Sequence, residues 1–225
     1  MYYAVTFDKG LSTAINTWTD WHMVPSSRPV INPPKPKKTI IDIPGSNNRI
    51  DLTESLSGDV TYDNRTGSIE FIVMNEKPMT WYELYNTILN TIHGRRVGFS
   101  LEEEPDWYYE GRVEVNEWKS NADFSRIVID YDVDPFKYKK LPTTETFSVS
   151  SGVTVRKTYR NSRMPVIPKI TASASGMTVK FKGTTYSLAQ GEQVVAGIIF
   201  EGNSNNQLEF TGNGNITVTY QEGKL

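Results

Sequence analysis

Apolar and polar residues alternate through most of this chain, and the period changes to that of a helix only once. Tyr2–Phe7 alternates and predicts a first strand. Trp18, Trp21 and Met23 then lead into the stretch Pro25–Pro44. There Pro25, Pro29, Pro33, Pro34, Pro36 and Pro44 remove ladder donors and hold their predecessors extended, so an arm or loop is expected. Short strands at Lys38–Ile43 and Ile50–Thr53 interrupt it. The arm reads equally as a surface loop and as an extension that reaches a neighbouring subunit. Asp59–Tyr62 and Ser68–Met74 flank Asp63-Asn64-Arg65-Thr66-Gly67, whose turn formers predict a hairpin. Alternation puts Ile69, Phe71 and Val73 on one face of its second strand and Ile72 on the other.

Trp81, Leu84, Tyr85, Ile88, Leu89 and Ile92 recur at i, i+3, i+4, i+7, i+8 and i+11, a single stripe of a helix. Thr80 is placed to cap it, Glu83 completes a capping box, and Gly94 follows as the left-handed stop ahead of Arg95 and Arg96. The predicted helix is Thr80–His93, anchored on a sheet by Trp81, Leu84, Ile88 and Ile92, with Asn86, Thr87, Asn90 and Thr91 facing water. Strands at Arg96–Leu101, Trp107–Trp118 and Ser125–Val133 are half buried and antiparallel, with a turn at Asn121-Ala-Asp. The pattern breaks at Asp134-Pro135, and Phe136–Pro142 reads as a linker, so domains of 1–140 and 141–225 are expected. Beyond Thr143 there are five Glu and no Asp. Thr146–Val149, Val153–Tyr159, Val166–Ala172, Met177–Phe181, Thr184–Leu188, Gln193–Ile199, Gln207–Phe210 and Ile216–Tyr220 are strand candidates. Eight short strands at that spacing indicate a β-sandwich of about 80 residues.

With 225 residues there is enough chain for two modest cores. A net charge of −2 gives no overall field for nucleic acid or anionic lipid. The basic clusters at Lys35-Pro-Lys37-Lys38, Arg95-Arg96 and Lys137 to Lys140 are short and read first as solvated surface. The absence of cysteine excludes a disulfide scaffold, a thiolate metal site and a Cys nucleophile. The first ten residues have neither the basic nor the apolar region of a secretory signal, and no apolar run approaches the ~18 residues of a membrane helix. The expectation is a soluble product made in the cytoplasm.

Catalysis finds little support. His22 and His93 stand outside any recognisable nucleophile motif, and neither a metalloprotease helix nor a phosphate loop is present. His93 reads as a helix-end residue, where the dipole favours its charged form. Asp130, Asp132 and Asp134 share one strand face and are weighed as calcium ligands, but they lack the glycine and distal glutamate of an EF-hand loop, and a polar outer face is the preferred reading. The acidic run Glu102-Glu103-Glu104 with Asp106 reads as a solvated loop, with a channel-facing position as the alternative.

Several short segments, in order, carry a family likeness: Ile43-Pro-Gly-Ser46, Arg49-Ile-Asp51, Tyr62-Asp-Asn-Arg65 with Phe71, the helix to Gly94, and Tyr109-Glu-Gly-Arg-Val113. The strand Ile127–Val133 closing at Asp134-Pro135-Phe136 completes the series. Together they resemble the distal tail proteins of long-tailed bacteriophages. The likeness is good over 1–140 and architectural over 141–225. It implies a mainly β, two-domain fold: an N-terminal tail-tube-like β-sandwich with one α-helix, and a C-terminal galectin-like or carbohydrate-module-like β-sandwich. It further implies a virion structural protein at the tail tip, without enzymatic activity or cofactor. Six copies would form a ring joining the tail tube to the tail-associated hub protein, with a central channel through which DNA passes without sequence-specific contact. A receptor-binding protein is a further candidate partner, although the short chain leaves no room for a long arm to hold one. Candidate ring or partner contacts are Trp18, Trp21, Lys35, Lys37 and Lys38. The alternative is a carbohydrate-binding module recognising the host surface, with Tyr159, Tyr186 and Tyr220 as stacking candidates. A tail-tube protein proper is a third reading, but it leaves the second sandwich and the Pro-rich arm unaccounted for.

Overall fold

A computed structural model describes residues 3–55, 57–74, 79–120 and 125–225. The turn expected at Asn121-Ala-Asp and the first residue of the expected strand Tyr2–Phe7 lie outside them. The chain divides into two compact units, Met1–Lys137 and Tyr138–Leu225.

The first unit contains β1 (Val5–Phe7), β2 (Ile15–Asn16), β3 (Met23–Pro25), β4 (Ile40–Asp42), β5 (Arg49–Asp51), β6 (Arg65–Val73), α1 (Trp81–Ile92), β7 (Arg96–Leu101), β8 (Trp107–Ser120) and β9 (Ser125–Val133). Seven strands pair antiparallel in the order β2-β1-β7-β8-β9-β6-β3, while β4 and β5 pair only with each other. Alternation decides the inner face: Ile69, Phe71 and Val73 of β6, Tyr109, Val113 and Val115 of β8, and Ile127, Ile129, Tyr131 and Val133 of β9 are all buried. Leu84, Ile88 and Ile92 of α1 are fully buried in the same cluster.

The helix begins as its residues dictate. The Thr80 hydroxyl accepts the Glu83 N–H, and the Glu83 carboxylate accepts the Thr80 N–H at 2.8 Å. The Thr80 hydroxyl and then the Thr80 N–H, both bonded to the Glu83 carboxylate, hold that carboxyl below its usual range. Gly94 ends the helix at φ +70°, and its N–H crosses to Val113 O at 2.8 Å.

A β-bulge lies in β8 between Val115 and Glu117. Before it the odd-numbered residues face inward; beyond it Trp118 pairs with Ile127 and turns inward instead. Trp118 then stacks on Tyr85 (4.3 Å) and on Trp81 (5.0 Å), with the exposed Tyr82 edge-on. Trp118→Ala is expected to destabilise the first unit by about 2 kcal/mol in a denaturant titration, below the range for a fully buried Trp because this ring is only partly buried.

The predicted hairpin around residues 63–67 does not form. Arg65, Thr66 and Gly67 instead begin β6, opposite Val133, Asp132 and Tyr131. The 59–62 stretch meets the Pro-rich arm, with Tyr62 bridged to Pro36 and Lys37 N–H bonded to Thr61 O at 2.9 Å. Asp63 and Asn64 are turn formers, but Gly67 is a strand glycine whose missing Cβ makes room for the Tyr131 phenol and the Asn32 carboxamide.

In the expected linker, Lys137–Lys139 forms a short strand, β10. The second unit then has β11 (Thr143–Val149), β12 (Val155–Arg160), β13 (Lys169–Ala172), β14 (Met177–Phe181), β15 (Thr184–Leu188), β16 (Gly191–Val194), β17 (Asn205–Thr211), β18 (Gly214–Tyr220) and β19 (Gly223–Lys224). Two four-stranded antiparallel sheets, β11-β18-β13-β16 and β12-β17-β14-β15, enclose a second core that includes Ile170, Val179, Phe200, Phe210 and Val218.

Candidate assembly surface

The arm carries an exposed cluster of isoleucines. At its root Asp63 N–H bonds Lys35 O at 2.9 Å, and Leu52 N–H bonds Thr39 O at 2.8 Å further out. The ribbon registers Ile40 with Asp51, Ile41 with Ile50, and Asp42 with Arg49. Arg49 pairs with Asp42 at 2.9 Å. The Thr53 hydroxyl and N–H hold the Asp51 carboxyl below its ordinary range. The turn beyond β4 closes through Ser46 N–H to Ile43 O, with Gly45 at φ +76°.

Every residue of β4 and β5 is exposed. Ile41 (49%), Ile43 (38%) and Ile50 (45%) share one face by alternation, while Ile40 joins Asp42, Arg49 and Asp51 on the other. An isolated two-stranded ribbon is marginal in water, and an apolar isoleucine face on one is a surface that remains to be covered.

The arm's root, by contrast, is riveted to the sheet. Ile31 is buried, and the Asn32 N–H donates to the Tyr131 hydroxyl at 3.0 Å. The Asn32 carboxamide donates to Thr66 O at 2.8 Å. Arg65, only 4% exposed, donates through Nη1 to Asn32 O at 3.1 Å and through Nε to Pro135 O at 2.8 Å. Its guanidinium lies 5.5 Å from the Tyr109 ring centre, and burial lowers the Arg65 pKa from its usual value. Burial also raises the Tyr109 phenol to about 12.

The structure separates the other sequence candidates. Lys35, Lys37 and Lys38 are exposed on the arm, and Lys37 lies 3.7 Å from Asp63. Trp18 is half-buried beside His22, at 6.0 Å between rings. Trp21 is a correction: at 2% exposure it packs on Phe7 in the core, out of reach of any partner. Tyr159 and Tyr220 are also corrections, because both are buried against Phe200, and the Tyr220 hydroxyl donates to Arg160 O at 2.7 Å. Neither presents a face to a sugar. Tyr186 is half-buried over Gly197. A polar hollow in the second unit is lined by Lys180, Lys182, Glu201, Gln207 and Glu209, and its one aromatic, Phe181, is buried.

His93 Nδ1 accepts the Val115 N–H at 3.0 Å and so ties the end of α1 to β8. Asp130 accepts from Asn116, Asp132 from Asn64, and Asp134 from Arg96. Among the described residues, no group of three or more His, Cys, Asp or Glu is arranged to hold a metal. Glu102 accepts the Ala4 N–H, Glu103 pairs with Arg28 and Glu104 with Lys137. No described helix is long and apolar enough to cross a membrane.

The fold defined here, one helix on an antiparallel sheet with an extended arm, followed by a β-sandwich, is that of a distal tail protein. A solved structure with this fold is the crystal structure of the Dit (gp 19.1) protein of phage SPP1, which aligns with a TM-score of 0.66 over 98% of this chain and 99% of that one. Sequence identity is 15%, so what the two share is the fold. The SPP1 protein is described as a paradigm of the hub adsorption apparatus in phages infecting Gram-positive bacteria. No protein-family model matches the chain, and no curated protein matches it.

Proposed function

We propose that this protein is a structural component of a phage tail tip, forming a ring of six copies between the tail tube and the hub protein below it, with a channel for DNA. The observation that carries the reading is the end-to-end likeness to the SPP1 hub protein, which embraces both units and nearly all of each chain. The ribbon supports it from within the molecule. A head-to-tail contact that closes makes a ring, and it requires a surface on each copy that its own chain leaves uncovered. The Ile41–Ile43–Ile50 face is such a surface, with Lys35, Lys37 and Lys38 at its base as the polar rim. A net charge of −2 suits a channel that must not grip phosphates.

The test is the native mass across a concentration series. Six copies of the 25.5 kDa chain give a species of about 153 kDa, and electron microscopy should then show a central opening. A chain that stays at 25.5 kDa at every concentration would overturn self-assembly into a ring.

A further inference from the structure

Arg65 is a buried cation with no carboxylate at ion-pair distance among the described residues, and its Nη2 has no acceptor among them. Such a group costs stability relative to an apolar residue of similar size, so its value lies in what it holds in place. The two carbonyls it joins are far apart in sequence. Asn32 lies where the chain enters the Pro-rich stretch that leads to the ribbon, and Pro135 follows the last long strand of the first unit. Asn32 is further fixed through its N–H to Tyr131 of β9 and through its carboxamide to Thr66 of β6. Tyr131 reaches it because the residue opposite is Gly67; a Cβ there would overlap both the phenol and the Asn32 carboxamide.

We propose that Arg65, acting with Asn32 and Tyr131, is a positioning latch that sets the direction in which residues 33–62 leave the sheet. The arm would then be aimed before a neighbour arrives rather than by it. Pre-aiming removes an ordering cost from each contact: if only a tenth of unlatched arms point correctly, the apparent affinity falls about ten-fold. The consequence for assembly rests on the reading of the arm as a ring contact; the latch itself does not.

The absence of cysteine allows a clean test. Spin labels on Ile40→Cys in the ribbon and Asn86→Cys on the exposed face of α1 report one distance by pulsed electron resonance, at a concentration where the native mass is that of a single chain. A single narrow peak is expected in the parent. Arg65→Met should lose that peak while its thermal transition stays cooperative, and Tyr131→Phe, which removes only the hydroxyl, should broaden it less. An unchanged peak in folded Arg65→Met overturns the latch, as does a parent distribution that is already broad. Should Arg65→Met fail to fold, an unchanged peak in Tyr131→Phe overturns it instead. Failure of the ring reading would show separately, in the native mass.

Discussion

Ile88→Asp is expected to leave no soluble, folded first unit. Ile88 is fully buried one helical turn from both Leu84 and Ile92, in the cluster that joins α1 to the sheet. The substitution forfeits about 2–3 kcal/mol of apolar burial. It also places a carboxylate where no cation waits, at a cost of several kcal/mol whether the group stays charged or takes up a proton. The sum rivals the whole stability of a domain, roughly 5–15 kcal/mol. Asn86→Asp, on the wet face of the same helix, serves as the control and should melt as the parent does. Soluble Ile88→Asp protein with a parental circular-dichroism melt would show that the helix does not anchor the sheet.

The same patterning explains what was legible in the chain and what was not. The helix stood out because its stripe, its capping box and Gly94 agree. The second sandwich was legible because eight short alternating runs are separated by turn residues; seven coincide with observed strands, while the run expected at Gln193–Ile199 overlaps β16 only at Gln193 and Val194. Alternation also contained signals that residue type obscured. Arg65 shares its parity with Ile69, Phe71 and Val73, which marks it as inward-facing; being an arginine beside Asp63 and Asn64, it read as part of a turn. Tyr220 shares parity with Ile216 and Val218, so its burial was written in the strand, and only the habit of tyrosine at binding surfaces suggested otherwise. The bulge in β8 is different. Nothing around Val115 and Glu117 announces an extra residue, and the inward turn of Trp118 follows from pairing with β9, a tertiary fact. The latch was equally hidden: Arg65 meets the backbone carbonyls of residues 32 and 135, and the Tyr131 hydroxyl accepts the Asn32 N–H, so on one side each bond uses a backbone group that carries no sequence signature.

Replacing Ile41 and Ile50 together by Asp should prevent the proposed ring from forming while leaving the monomer as stable as before. The two side chains face each other across the ribbon and belong to neither core cluster, so the melting transition of the isolated chain has no reason to move. At a contact between copies the situation reverses. Covering the exposed parts of two isoleucines contributes about 1 kcal/mol each, and two carboxylates held together on one face must be stripped of water to be covered at all. A loss of about 3 kcal/mol per contact raises the dissociation constant more than a hundred-fold. It applies at every contact of the ring, so closure should fail outright. The native mass should fall toward that of a single chain at concentrations where the parent is assembled. Ile40→Asp places the same charge on the already charged face beside Asp42 and Asp51 and should weaken the ring far less. A double variant that still assembles like the parent would mean that the isoleucine face is not what the neighbour covers. Equal damage from Ile40→Asp would mean that charge on the arm, and not its apolar face, governs assembly.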